Sequence, residues 1–153
     1  MGFRITKFTP LICCCLALVG CSSKPKEDRV KTTPVKGIVQ VDGEPAGLVQ
    51  VSFLANEEIP GVTTKRFNCM TGPKGELAAF TYEKGDGLPA GSYVVTFKWP
   101  EASMVSKTPD RLHGAYDNPA ASEVNVTVED GKPVDLGVIE LSSKKKPPAK
   151  GRR

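Results

Sequence analysis

The sequence predicts an all-β sandwich, and three observations carry the prediction. Apolar residues alternate with polar ones in seven short segments between residues 34 and 141. Clusters of Gly, Pro, Asp and Asn separate those segments. No stretch of that region sustains a helical period. Strands that are apolar on one face bury it by packing two sheets about 10 Å apart.

The first strand is 35–41, where Val35, Gly37, Val39 and Val41 alternate with Lys36, Ile38, Gln40 and Asp42. Asp42-Gly43-Glu44-Pro45 then turns the chain. The second strand, 49–53, places Val49, Val51 and Phe53 on one face. Residues 56–61 break the pattern. The third strand, 62–70, is weaker, with Thr63, Lys65, Phe67 and Cys69 on one side. Thr71-Gly72-Pro73-Lys74-Gly75 is a turn, and 76–82 resumes as the fourth strand. Residues 83–91 hold three glycines and a proline and form a loop. The fifth strand alternates Tyr93, Val95, Phe97 and Trp99 with Ser92, Val94, Thr96 and Lys98. Residues 100–122 show no clear period. Loops of that length are often functional. Val124, Val126 and Val128 mark the sixth strand, Asp130-Gly131-Lys132-Pro133 the next turn, and 134–141 the seventh strand.

The ends differ from this body. Residues 1–7 carry Arg4 and Lys7 and no acid, and residues 8–19 are apolar apart from Thr9 and Pro10. This charge-then-apolar order is that of a secretory signal. About a dozen apolar residues fall short of the roughly 20 needed to span a bilayer. Met1-Gly2-Phe3-Arg4-Ile5-Thr6 also fits a myristoylation pattern. A cytosolic acylated protein would have no use for the apolar run behind it. Residues 22–33 are polar and charged and read as a flexible tether. Residues 142–153 are rich in Lys and Pro and read as a disordered basic tail.

The net charge of +4 is uneven. Residues 21–143 carry 13 basic and 17 acidic side chains, so the body is mildly acidic. A nucleic-acid-binding domain would carry its positive charge on the body, so no nucleic-acid partner is expected. Cys13, Cys14 and Cys15 lie in the apolar leader, which leaves Cys21 and Cys69 in the rest of the chain. Cys69 is expected to be a small buried apolar residue.

Leu18-Val19-Gly20-Cys21 resembles a lipobox, the processing site of bacterial lipoproteins. The resemblance implies cleavage between Gly20 and Cys21, with 1–20 removed as a signal peptide. It also implies a thioether-linked diacylglyceryl group on Cys21, with palmitate-type acyl chains holding the protein in a membrane of the cell envelope. Two or more chains give stable anchoring. Cys21 then has no thiol to pair with Cys69.

Val35 to Ala46, ending in Asp42-Gly43-Glu44-Pro45, resembles the opening of transthyretin-like, carboxypeptidase regulatory-like domains. Thr71-Gly72-Pro73-Lys74-Gly75-Glu76-Leu77 resembles their T-D-x-x-G-x-F segment, with Gly72 and Leu77 as departures. Pro89-Ala90-Gly91-Ser92-Tyr93-Val94-Val95 resembles their P-x-G-x-Y-x-V strand. The family implies a seven-stranded Greek-key, prealbumin-like sandwich over residues 34–141, and members are generally non-catalytic. Family members that hydrolyse a purine breakdown product need several histidines, and this chain has His113 alone.

No constellation of catalytic residues emerges. His113 lies near Asp110, Ser103 and Ser106, but there is no nucleophile elbow. One His and one Cys do not make a zinc site. Asp86, Asp117, Asn118 and Asp130 are loop oxygen donors without an EF-hand spacing, better explained by turn chemistry. No metal and no cofactor are expected. Trp99, Tyr116, Asp117 and Asn118 are the candidate ligand-binding residues, set in or beside the 100–122 loop. The functional expectation is a non-enzymatic, lipid-anchored envelope sandwich that binds, adheres or supports. Its partners would be the membrane, envelope proteins or cell-wall polymer. The rival is a small-molecule or carbohydrate binder using the 100–122 loop.

Overall fold

The computed structural model describes residues 29–101 and 109–148. Ten strands run in the order β1 (Thr32–Thr33), β2 (Val35–Val41), β3 (Glu44–Pro45), β4 (Gln50–Ala55), β5 (Arg66–Met70), β6 (Glu76–Ala78), β7 (Leu88–Pro89), β8 (Gly91–Lys98), β9 (Asn125–Val128) and β10 (Val134–Leu141). The seven strands longer than two residues follow the seven expected from alternation, in the same order. The chain is an all-β sandwich.

One sheet has β2 at its centre, flanked by β10 on one side and by β3 and β6 on the other. The second sheet has the order β5-β4-β8-β9 and is antiparallel throughout. β2 and β10 pair in parallel, which brings the first and last long strands together. The chain passes from the first sheet to the second after β3, back at β6, across again at β8 and back at β10. These crossings are Greek-key connections. Val39, Val41, Leu77, Ile139 and Leu141 face Val51, Phe53, Phe67, Tyr93, Val95, Phe97, Val126 and Val128 across the core. All are buried, as period two requires when one face of each sheet is covered.

Local chemistry sets the turns. Asp42 and Gly43 both take positive φ, 51° and 86°, and pair Val41 with Glu44 across a two-residue hairpin. That geometry matches the strand twist and explains the Asp-Gly pair. Gly87 (φ 94°) passes beneath the β1 backbone, where a Cβ would lie 1.9 Å from the carbonyl oxygen of Thr33. Only glycine fits there.

Three expectations need adjustment. The fourth strand stops at Ala78 instead of running to residue 82. The N–H groups of Thr81, Tyr82 and Glu83 donate to the Asp86 carboxylate, which bends the chain out of the sheet. The third strand starts at Arg66, because Thr64 Oγ1 both accepts from the Arg66 N–H and donates to its carbonyl. The boundaries expected at residues 34 and 142 are also looser than the contacts. Thr32 and Thr33 pair with β7, and Ser142 to Lys145 fold back on the sandwich through Asp42, Tyr116 and Glu123. Cys21, Gly20 and the rest of 1–28 lie outside the described residues.

Candidate functional site

Where β5 turns into β6, the chain leaves one sheet for the other, and an open groove of about 1050 Å³ lies beside that corner. Its apolar lining includes Leu48, Met70, Pro73, Ala78, Phe80 and Pro100, with Gln50, Asn68, Glu76 and Lys84 as polar members. Leu48, Met70 and Phe80 are exposed by 53%, 46% and 37%. Large apolar side chains gathered on one open surface mark a contact site more often than isolated ones do. Leu48 is held at φ 62°, a left-handed conformation that costs a non-glycine residue on the order of 1–3 kcal/mol. Its N–H donates to the Thr71 carbonyl, which fixes the backbone there.

The walls are held by buried hydrogen bonds. Thr71 Oγ1 donates to the carbonyl of Ala46 and accepts from the N–H of Val49, at 2.7 and 2.9 Å. The carboxylate of Glu76 accepts from the N–H of Lys74 and closes the turn at the groove's end. Gly75 (φ 76°) packs so close to β2 that a Cβ would stand 2.3 Å from the Val39 carbonyl oxygen.

The four residues expected from the sequence lie outside this groove. The Trp99 indole N–H donates to the Gly47 carbonyl, and the Arg111 guanidinium sits 4.8 Å from its ring centre. Lys98 points to the opposite side of the strand end and pairs with Asp117 at 3.5 Å. The Tyr116 hydroxyl accepts from the Ser142 N–H, and the Lys145 ammonium lies 4.8 Å from the Tyr116 ring. Asn118 caps the short 3-10 turn Pro119–Ala121 by accepting from the Ala120 N–H. None of the four lines the groove, although Pro100, next to Trp99, does.

Asp110 organises the described part of the 100–122 loop, its carboxylate accepting from the N–H groups of Trp99, Leu112 and Gly114. His113 is exposed, at φ 53°. Ser103 and Ser106 fall outside the described residues. Among the described residues, no cluster of His, Cys, Asp and Glu has the makings of a metal site. Asp86 is committed to three backbone donors, and Asp130 to Lys31. Burial pushes the Cys69 thiol up to about 12, so it stays protonated at neutral pH. Hydrogen bonds from Ser143 and Ser142 hold the Asp42 carboxyl below the usual carboxylate range. No described helix is long and apolar enough to cross a membrane.

No family model matches the chain, and no curated protein matches it. Several solved structures are similar in shape. The 5-hydroxyisourate hydrolase of Klebsiella pneumoniae is 20% identical, with a TM-score of 0.40 over 74% of this chain and 90% of its own. A DUF3823 family protein from Parabacteroides merdae is 14% identical, with a TM-score of 0.37 over 74% of this chain and 46% of its own. The dioxygenase domain of a dioxygenase carbohydrate-binding protein fusion from Streptomyces sp. SirexAA-E is 14% identical, with a TM-score of 0.37 over 77% of this chain and 84% of its own.

The groove residues have a sequence signature. Met70 and Phe80 are large apolar residues out of phase with Phe67 and Cys69 and with Leu77 and Ala79, their inward neighbours. An apolar residue on the wrong side of an alternating strand is the available signal.

Proposed function

We propose that this protein is a non-enzymatic binding module, anchored to a membrane of the cell envelope by acyl chains on Cys21, with the groove beside β5 and β6 as its contact surface. One observation carries the reading: Leu48, Met70 and Phe80 are exposed together in an open groove of about 1050 Å³. Binding sites are typically concave and mostly apolar with a few polar groups. The absence of enzymatic activity is supported by Cys69, whose buried thiol is no nucleophile at neutral pH, and by His113, which is exposed on a loop. Trp99, Tyr116, Asp117 and Asn118 serve in this reading as braces for the loops and the C-terminal segment.

The place where the tether meets the sandwich suits the anchor. The Arg29 guanidinium pairs with Glu83 and lies 5.2 Å from the Tyr82 ring centre, next to Lys84 on the groove's rim. Arg29 is eight steps along the chain from Cys21, a reach of at most about 29 Å. The groove would therefore stay near the bilayer surface.

Two measurements test the reading. A Cys21→Ser chain is expected to lose fatty-acid labelling and detergent-phase partitioning. A soluble wild-type protein carrying a free thiol at Cys21 would refute the anchor. A photo-crosslinking amino acid at position 80 is expected to trap envelope components that the same probe at the exposed position 138, on β10, does not. Equal trapping from both positions would refute the groove as the contact surface.

A further inference from the structure

The strand edges beside the groove say what kind of ligand it takes. In the β4–β5 ladder, the Thr71 N–H donates to the Val49 carbonyl at one end and the Ala55 N–H donates to the Lys65 carbonyl at the other. Directly opposed residues in an antiparallel pair alternate between bonded and non-bonded. Val51–Cys69 and Phe53–Phe67 are therefore the bonded pairs, and Gln50–Met70, Ser52–Asn68 and Leu54–Arg66 are not. The backbone groups of Arg66, Asn68 and Met70 thus point away from β4. β5 is the edge of its sheet, so they point into the open. Thr64 takes both groups of Arg66. Among the described residues, nothing bonds to the N–H or carbonyl of Asn68 or Met70, and both residues line the groove.

The far wall is built the same way. The Val39 N–H donates to the Gly75 carbonyl and the Ala79 N–H to the Val35 carbonyl, so Leu77 bonds to β2 and Ala78 faces outward. β6 pairs only with β2, and Ala78 lines the groove. The free β5 edge and Ala78 of β6 therefore flank one apolar channel, while the outward carbonyl of Glu76 is taken by the Gly72 N–H. The opposite edge of the β5 sheet differs: β9 turns Asn125 and Thr127 outward, both polar.

The channel lining carries one charge of each sign, Lys84 and Glu76, and Arg66 and Lys74 lie in the segments next to it. Arg66, Lys74 and Lys84 make no ion pair with any described residue, whereas Glu76 is engaged by the Lys74 N–H. A channel with free backbone donors and acceptors, apolar side chains and nearby cations that have no ion-pair partner among the described residues complements one chemistry. Resting on the binding-module reading above, we infer that the groove accepts an extended peptide segment of a partner protein. The segment pairs with the β5 edge at Asn68 and Met70. Its alternate apolar side chains sit against Leu48, Met70 and Phe80, and acidic residues flank them to meet Arg66, Lys74 and Lys84. This is β-strand addition, in which main-chain bonds supply affinity and alternate side-chain contacts supply specificity.

Met70 allows a clean test. Its N–H is outside the ladder, so Met70→Pro deletes the edge donor without removing a bond to β4. Met70→Ala keeps the donor and removes only side-chain contact. The full chain, immobilised through its C-terminus, is screened with a displayed library of linear nine-residue peptides. The expected outcome is enrichment of peptides with alternating apolar residues and Asp or Glu at the ends. Their affinity should fall at least tenfold on Met70→Pro and less than threefold on Met70→Ala. The Asn68 and Met70 amides should exchange hydrogen at least tenfold more slowly in the complex. Backbone N-methylation of the peptide should abolish binding, a readout that holds even if the proline variant folds poorly. Failure to enrich any peptide, unchanged exchange at Asn68 and Met70, or full binding by N-methylated peptide would overturn the inference. If crosslinking from position 80 persisted alongside such a result, with a lipid, glycan or small molecule as the adduct, the groove would remain the contact surface and only its peptide occupant would be wrong. If that crosslinking also failed, the binding-module reading would fall too.

Discussion

At Thr71 a single hydroxyl serves two segments of backbone. It donates to Ala46 and accepts from Val49, and all three residues are buried. From sequence, Thr71 reads as the first residue of a turn, which is correct and incomplete. Its hydroxyl is what pins the chain entering β4 to the chain leaving β5. Thr71→Val keeps the shape and removes both bonds, leaving a donor and an acceptor without partners in the interior. Each such group costs about 1–3 kcal/mol. Urea denaturation is expected to show a loss of about 2–4 kcal/mol with an unchanged slope. A loss below 1 kcal/mol would mean that water replaces the hydroxyl. Tyr93 works similarly at the other end of the same sheet. Its hydroxyl donates to the Pro89 carbonyl at 2.7 Å, four residues upstream, and its ring meets Phe67 edge-on at 5.9 Å. The Pro-x-Gly-x-Tyr pattern is thus a device for setting where β8 begins.

Strands are legible where alternation runs to both ends. β2 and β10 have the expected bounds because each is followed at once by turn chemistry or a change in composition. Alternation runs past the end of β6 because N–H bonds to Asp86 bend the chain away there, and a lone aspartate downstream gives no periodic signal. β1, β3 and β7 are two residues long, too short for any period. The groove was missed for a related reason. It is assembled from outward residues of β5 and β6 together with Leu48, whose left-handed backbone no local pattern reveals. Leu48 also offers a test of what strain is for. Leu48→Gly relieves the unfavourable φ, though glycine returns about 0.5–1 kcal/mol of entropy to the unfolded chain. The variant is expected to be as stable as the wild type or more stable by about 1 kcal/mol, and to bind peptide at least fivefold more weakly. A destabilisation above 1 kcal/mol would assign Leu48 to packing instead of recognition.

The whole molecule is a sandwich, and among the described residues its interior holds two ionisable groups on one sheet, Cys69 and Tyr93, each pushed up to about 12 by burial. The sign of the effect on stability follows from proton counting. Both groups keep their protons in the folded state at pH values where the unfolded chain has begun to release them. The unfolded state then binds fewer protons, so stability falls as pH rises. Below about pH 8 neither group contributes to this pH dependence. The Cys69 contribution sets in near pH 9, the ordinary thiol range, and continues until the folded value is reached; Tyr93 joins near pH 10. At pH 10 the thiol alone removes on the order of 1 kcal/mol, since thiolate then outnumbers thiol about ten to one in the unfolded chain while the buried group keeps its proton. Denaturant melts at pH 8 and pH 10 are expected to show this loss for the wild type. Cys69→Ala, though less stable at both values, should lose less between them by the same amount. A wild type and variant that weaken in parallel across that interval would mean that the Cys69 thiol ionises freely in the folded protein, and that β5 opens at the groove more readily than its burial implies.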